Sequence, residues 1–253
     1  MQTPPRILSF GAHPDDTEFR CGGTLALLAR RGWQVGIATV TGGGGGSREH
    51  DFEQTRKIRL AESKDAAAVI GAEFHYAGGA DMDVDFCHDL RVKVVHVLRA
   101  FRPGVVIACP PDDYHTDHEE ASRLVRAACF FAPIPNYPEQ TLEPIEAVPY
   151  LYYTHAGTDI MGRPAPAQFL VDISSVVAVK KQMACCHRSQ RNWIRDHHGV
   201  DDYVASRERH DAELGAPAGF AAAEALCQHL GAGYPHDNIL AKALSDKAWL
   251  NGD

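Results

Sequence analysis

The apolar run Ile7-Leu8-Ser9-Phe10-Gly11 gives way at once to Ala12-His13-Pro14-Asp15-Asp16. Far along the chain the same arrangement returns: Val105-Val106-Ile107-Ala108-Cys109-Pro110 leads to His115-Thr116-Asp117-His118. In both places a strand-like run ends in a polar loop that opens a helix-like run, which is the first half of a βαβ unit. Neutral imidazole and carboxylate are ligands that a borderline dication such as zinc accepts. Neither cluster offers a full set, but together they supply three ligands, a spare carboxylate and a spare histidine.

Working outward, strand and helix signals alternate through the first 130 or so residues. Strand patterns at 7–11, 35–40, 74–77 and 105–108 are separated by helical patterns at 22–31, 53–70 and 90–101, with a further helix at 119–131. Gly32 and Gly71 stop two of these helices, and Pro103 breaks a third. Such alternation predicts an α/β fold, Rossmann-like and doubly wound, with a mainly parallel sheet and helices on both faces. In the strand order 3-2-1-4 the winding reverses between strands one and four. Ligands bind beyond the carboxyl ends of the strands at such a reversal, and both clusters sit there.

Beyond residue 132 the pattern loosens. Residues 133–149 carry Pro133, Pro135, Pro138, Pro144 and Pro149, which predicts a rigid loop or lid. Extra strands are expected at 150–154 and 169–173, and helices at 176–187 and 201–214. The domain reading is one unit over 1–253, with a Rossmann-like core at 1–132 and a lid, additional strands and C-terminal helices at 133–253.

At 45% hydrophobic and 23% charged, the 253 residues have the makings of a full globular core. The 33 acidic and 25 basic residues give a net charge of −8 without a basic stripe, which argues against nucleic acid and anionic membranes as partners. No run of eighteen or more apolar residues suggests a membrane span. The N-terminus leads straight into a strand, leaving no room for a signal peptide. Seven irregularly spaced cysteines read as reduced thiols of a cytoplasmic protein.

Spacing gives the clusters their geometry. In a strand-to-helix turn, residues i and i+3 converge, so His13 and Asp16 can share a cation while Asp15 stays close but unligated. His115 and His118 open a helix and face the crevice together. Asp117 is expected beside His115, accepting its other ring proton and setting its tautomer. Alone, His-Pro-Asp-Asp is as well explained by a capped turn. The pair, brought together by the fold, points to a metal site.

These residues also carry a resemblance. His13-Pro14-Asp15-Asp16, with Glu18 and Cys21-Gly22-Gly23-Thr24, resembles the opening signature of the PIG-L/LmbE-like N-deacetylase family. His115-Thr116-Asp117-His118 is similar to its second signature, Arg59 and Glu62 to its Arg-x-x-Glu helix, and His187-Arg188-Ser189-Gln190 to a late His-x-Ser-Gln stretch. The likeness runs over residues 6–190. Thr116 replaces the usual Pro, Arg20 stands where Gly is frequent, and Gly42 to Gly46 is a glycine-heavy version of its loop. The resemblance implies Zn²⁺, or another divalent transition metal, held by His13, Asp16 and His118. It implies Asp15 as general base, His115 assisting, and a homo-oligomeric assembly.

The expected activity is removal of an N-acetyl or other N-acyl group from an amino sugar or its conjugate, a small-molecule substrate. The catalytic set is Asp15, His115 and Asp117, with Arg59, Tyr153 and His155 as substrate-binding candidates. Gly42 to Gly46 lacks the Lys-Ser/Thr of a phosphate-binding P-loop and reads as a mobile loop beside the site. Alternatives are an amidase for a non-sugar N-acyl compound or thiol conjugate, and a non-catalytic metal- or nucleotide-binding protein. Histidine ligands disfavour the Mg²⁺ that a nucleotide site would need.

Overall fold

A computed structural model describes residues 5–158, 161–163, 165, 167–198 and 202–250. The first four residues, the expected helix start at 201 and the side chains of His197 and His198 lie outside what is described. Four strands, β1 (Arg6–Gly11), β2 (Gln34–Thr41), β3 (Glu73–Gly79) and β4 (Val105–Ala108), alternate with α1 (Asp16–Arg30), α2 (Phe52–Ala68) and α3 (His88–Phe101). Then come α4 (Thr116–Phe131), β5 (Tyr150–Thr154), β6 (Phe169–Asp172), α5 (Val177–Ala184), α6 (Arg188–His198) and α7 (Tyr203–Gly215). The described chain closes with β7 (Ala223–Gln228), α8 (Ile239–Ala243) and β8 (Ala248–Leu250).

The eight strands form one sheet in the order β3-β2-β1-β4-β5-β7-β6-β8. The first five are mutually parallel, and β7, β6 and β8 extend the sheet antiparallel. The expected reversal is present: β1 lies between β2 and β4, with Ile7 beside Val105 and Phe10 beside Ala108. Alternate residues of β1 feed opposite cores. Leu8 and Phe10 pack with Val94, Leu98, Leu124 and Val125 of α3 and α4. Ile7 packs with Leu25 and Leu28 of α1 and Met183 of α5 on the other face. Because both faces are covered, the strands are almost wholly apolar instead of alternating. No helix among the described residues is long and apolar enough to cross a membrane.

Two expectations are corrected. Residues 133–149 are not a lid over the site. The segment leads into β5, and β5 runs parallel to β4 with Tyr150 beside Val105, so 133–149 reaches the sheet at the amino ends of the strands. Arg99 fastens it there through the carbonyls of Ala132, Ile134 and Leu142. Second, the chain beyond residue 214, expected to add only C-terminal helices, contains β7, a strand inserted between β5 and β6.

Glu224 of β7 is buried and accepts hydrogen bonds from Gly23 N, Thr24 N and Thr24 Oγ1 at 2.8, 2.7 and 2.6 Å. It also faces Lys180 Nζ at 2.9 Å, and Lys180 meets Asp211 at 2.6 Å. One carboxylate therefore joins α1, α5, α7 and the antiparallel half of the sheet. Glu224→Ala strands two backbone donors and takes from buried Lys180 one of its two carboxylates, and should cost about 3–5 kcal/mol. Chemical denaturation of the variant will measure that loss; a change within about 0.5 kcal/mol, the range of ordinary surface substitutions, contradicts the role.

Candidate metal centre and cleft

The loop after β1 is shaped by Asp15, whose φ of 102° is left-handed and strained for a residue with a side chain. That turn lets Asp16 reach back: its Oδ2 accepts from His13 N at 2.9 Å and lies 3.8 Å from His13 Nδ1. From the loop after β4 comes His118, its Nε2 3.2 Å from His13 Nδ1 and 3.3 Å from Asp16 Oδ1. Two bonds of about 2.0–2.1 Å diverging tetrahedrally set their nitrogens roughly 3.3–3.4 Å apart. The observed separation matches that edge. His13, Asp16 and His118 thus fit a divalent cation that takes nitrogen and oxygen, all their ligand atoms lying within 4.8 Å of one another. His13, His115 and Asp117 form a second such grouping, which shares His13.

The outer nitrogens explain the aim of the inner ones. His118 Nδ1 faces Asp113 Oδ1 at 2.9 Å, leaving Nε2 for the cation. His13 Nε2 faces Asp117 Oδ2 and Asp81 Oδ1, both at 3.0 Å, leaving Nδ1. Carboxylates behind ligating imidazoles fix tautomer and orientation and raise basicity. Arg20 in turn holds Asp113 Oδ2 at 2.9 Å. Burial lowers both imidazoles, but the carboxylates outweigh it and raise His13 to about 10 and His118 to about 9. For Asp16, burial works upward, and His118, His13 and Arg20 hold it well below the usual carboxylate range. The site is built to favour positive charge at one point.

Asp117 therefore does not do what its spacing suggested. Its carboxylate engages His13 and accepts from Met82 N at 2.8 Å. Its link to His115 is the backbone N–H, which donates to His115 Nδ1 at 3.2 Å. Burial, with the neighbouring His13 and His118, lowers His115 below its ordinary value.

Asp15 stands beside the ligands. Its Oδ2 accepts from Tyr203 Oη at 2.5 Å and from Arg59 Nη2 at 3.3 Å. Burial pushes its carboxyl up, against the pull of Arg59, His187 and Tyr203. Arg59 also donates to the carbonyls of Pro14 and Gly43, pinning the strained turn. Gly43 has φ +64°, and a Cβ there would lie 2.3 Å from Arg59 Nη1. Gly45 N donates to Asp81, and Gln190 Nε2 to Gly46 O. The glycine run is thus a fitted wall held by hydrogen bonds, where the sequence suggested a mobile loop.

The family model described as PIG-L, GlcNAc-PI de-N-acetylase, matches residues 8–129. Diacetylchitobiose deacetylase of Thermococcus kodakarensis is 31% identical over 199 residues, covering 73% of this chain and 70% of that protein. The chain belongs to the PIG-L family. The chain is also similar to 4-oxalmesaconate hydratase of Pseudomonas putida, 26% identical over 203 residues, covering 76% of this chain and 77% of that protein. Among solved structures, the conserved protein TT1542 from Thermus thermophilus superposes with a TM-score of 0.73 at 28% identity, covering 91% of this chain and 96% of that one.

In this PIG-L chain His13, Asp16 and His118 open into a cleft of about 770 Å³. Of the expected substrate-binding residues, Arg59 lines it, and Tyr153 and His155 do not. Tyr153 is buried in the core under α3 and α4, its hydroxyl on His229 Nδ1, and His155 Nε2 lies 2.7 Å from Ala165 O. The far wall comes instead from α6 and α7, with Gln190, Trp193, Tyr203 and Arg207. Asp81, Asp113 and Tyr203 were missed in the sequence. Asp81 follows β3, another parallel strand ending at this crevice, and that position was a usable signal. Tyr203 had none.

The late family motif finds its partners here. Ser189 Oγ donates to Glu62 at 2.6 Å, while the buried His187 places Nε2 3.5 Å from the buried Glu18. Asp113→Ala should leave the fold intact but weaken divalent-metal binding by about 10–100-fold. Competition against a chromophoric chelator reads this directly, and unchanged affinity contradicts the positioning of His118 by Asp113.

Proposed function

We propose that the protein is a zinc-dependent hydrolase that removes an N-acetyl group from an amino sugar or amino-sugar conjugate. The observation that carries this reading is the meeting of His13 Nδ1, His118 Nε2 and Asp16 with a half-buried Asp15, outside that trio, beside them. Membership of a deacetylase family and the diacetylchitobiose-cleaving relative support the substrate class. Two imidazoles and one carboxylate suit zinc, and three protein ligands leave a position open, as catalytic sites require. Zinc bound there supplies Lewis acidity toward the amide carbonyl and makes water acidic enough to be deprotonated near neutral pH.

Asp15 takes the proton of the attacking water. Tyr203 and Arg59 both engage its Oδ2, which orients the group and leaves Oδ1 for that proton. The raised pKa from burial makes it a stronger base than an exposed aspartate. His115 Nδ1 is occupied as an acceptor, so its proton sits on Nε2, where it can donate to the developing oxyanion. A neutral imidazole is a poor acid, and its lowered pKa keeps it neutral. The return of a proton to the departing amine therefore falls to Asp15. Asp117 and Asp81 hold His13, Asp113 holds His118, and Arg59 holds the turn.

A second reading has the hydratase relative in its favour: the same centre adding water to another electrophile. Turnover of N-acetylglucosamine derivatives, compared with N-acyl amino acids, separates the sugar deacetylase from other amidases; hydrolysis of neither favours the hydratase reading.

Asp15→Asn should keep its zinc, by elemental analysis, and lose at least about a hundredfold in kcat; near-normal turnover removes Asp15 from the base role. A chelator should abolish activity and Zn²⁺ restore it, with His118→Ala beyond rescue. In Tyr203→Phe, loss of the hydrogen bond that lowers the Asp15 pKa should move the acidic limb of kcat/KM to higher pH. An unmoved limb contradicts the coupling.

A further inference from the structure

The charged groups lining the cleft are almost all paired. Asp15 meets Arg59 and Tyr203, Asp16 meets His13 and His118, and Asp81 meets His13 and Gly45 N. Arg20 holds Asp113 at 2.9 Å, and Asp202 is engaged by Arg209 at 2.7 Å. Arg207 is the exception. Among the described residues it has no hydrogen bond or ion pair, and only the ring of Phe19 lies beneath its guanidinium, at 5.6 Å. Asp211, one turn further along α7, is committed to Lys180.

Arg207 and Tyr203 are four residues apart on α7 and so share a face. Phe19 packs edge-on against Tyr203 at 4.5 Å between ring centroids, so one aromatic pair seats both the Asp15-binding hydroxyl and the guanidinium. Burial and the facing Arg20 both work against the charge on Arg207 and lower its pKa. Both guanidiniums line the cleft, and Arg207, which has only the longer-range attraction of Asp211 and Asp16 and no direct ion-pair partner, is satisfied when a ligand brings an oxyanion. The planar fork of arginine matches carboxylate and phosphate bidentately.

We propose that Arg207, assisted by Arg20, forms an oxyanion subsite, and that the substrate is an acidic amino-sugar derivative carrying a carboxylate or phosphate. The inference rests on the deacetylase reading in one respect. An acetyl group bears no charge, so the anion belongs to the amine-side portion that remains after cleavage. Phe19 bridges the two, 4.5 Å from the Tyr203 ring and 5.6 Å from the Arg207 guanidinium, which places the anion on the same stretch of wall as the Asp15-binding hydroxyl.

Calorimetric binding of glucosamine, glucosamine 6-phosphate and muramic acid to the zinc-loaded full chain tests the subsite without requiring turnover. The wild type should bind at least one of the two charged amines about tenfold or more tightly than glucosamine. Whichever is preferred tells phosphate from carboxylate. Arg207→Gln should abolish the ratio between charged and neutral ligands, and Arg207→Lys should keep part of it. Absence of any preference in the wild type, failure to bind either charged amine, or a preference that survives in Arg207→Gln overturns the proposal. Hydrolysis of the matching N-acetyl compounds is scored separately. Turnover without a charge preference sinks the subsite alone, and a charge preference without turnover sinks the deacetylase reading alone.

Discussion

Parallel pairing of β1 with β4 is the constraint on which the site depends. Residues far apart in the chain become neighbours because Ile7 lies beside Val105 and Phe10 beside Ala108. Both strands then release their loops at the same end of the sheet, and two imidazoles reach 3.2 Å of each other. Like-sided carboxylates crowd the same volume, an arrangement whose mutual repulsion only positive charge relieves. The backing carboxylates at Asp81, Asp113 and Asp117 make that demand stronger and turn it to use, since each fixes which nitrogen of its imidazole faces inward.

The second half of the chain completes the cleft without supplying any of the trio. Glu224 ties β7 to the start of α1 and, with Lys180, to α7. Tyr203 of α7 then delivers its hydroxyl to Asp15 and Arg207 lines the wall. The antiparallel extension of the sheet thus acts as the scaffold that holds one wall of the cleft over the parallel half. Asp15 holds its position at the cost of a strained φ, and Arg59 stabilises that turn from the opposite side through Pro14 O.

How much was legible can be judged from particular residues. His13, Asp16, Asp15 and His118 were readable because each sits within a few residues of an apolar strand end, where local spacing carries the geometry. Arg59 and Glu62 were readable by resemblance alone, and their partners, Gly43 and Ser189, emerge only on folding. The alanine-rich β7 escaped notice because its burial on both faces removes the period-two signal. Tyr153 and His155 misled: their place just after the proline-rich segment suggested the cleft, whereas Tyr153 points into the core under α3 and α4.

The sequence by itself determined the parallel α/β core, the reversal between strands one and four, and which imidazoles and carboxylates the two loops bring to the candidate metal centre. All of these follow from short-range periodicity and from loops a few residues long. Only the tertiary structure decided that Asp117 supports His13 instead of His115, that Asp81 and Asp113 join it, and that α7 walls the cleft in place of residues 133–149. Those pairings join residues separated by up to 188 positions. Hydrogen bonds of that reach leave no periodic trace in a chain, because their geometry exists only once the sheet has set the distance between the loops.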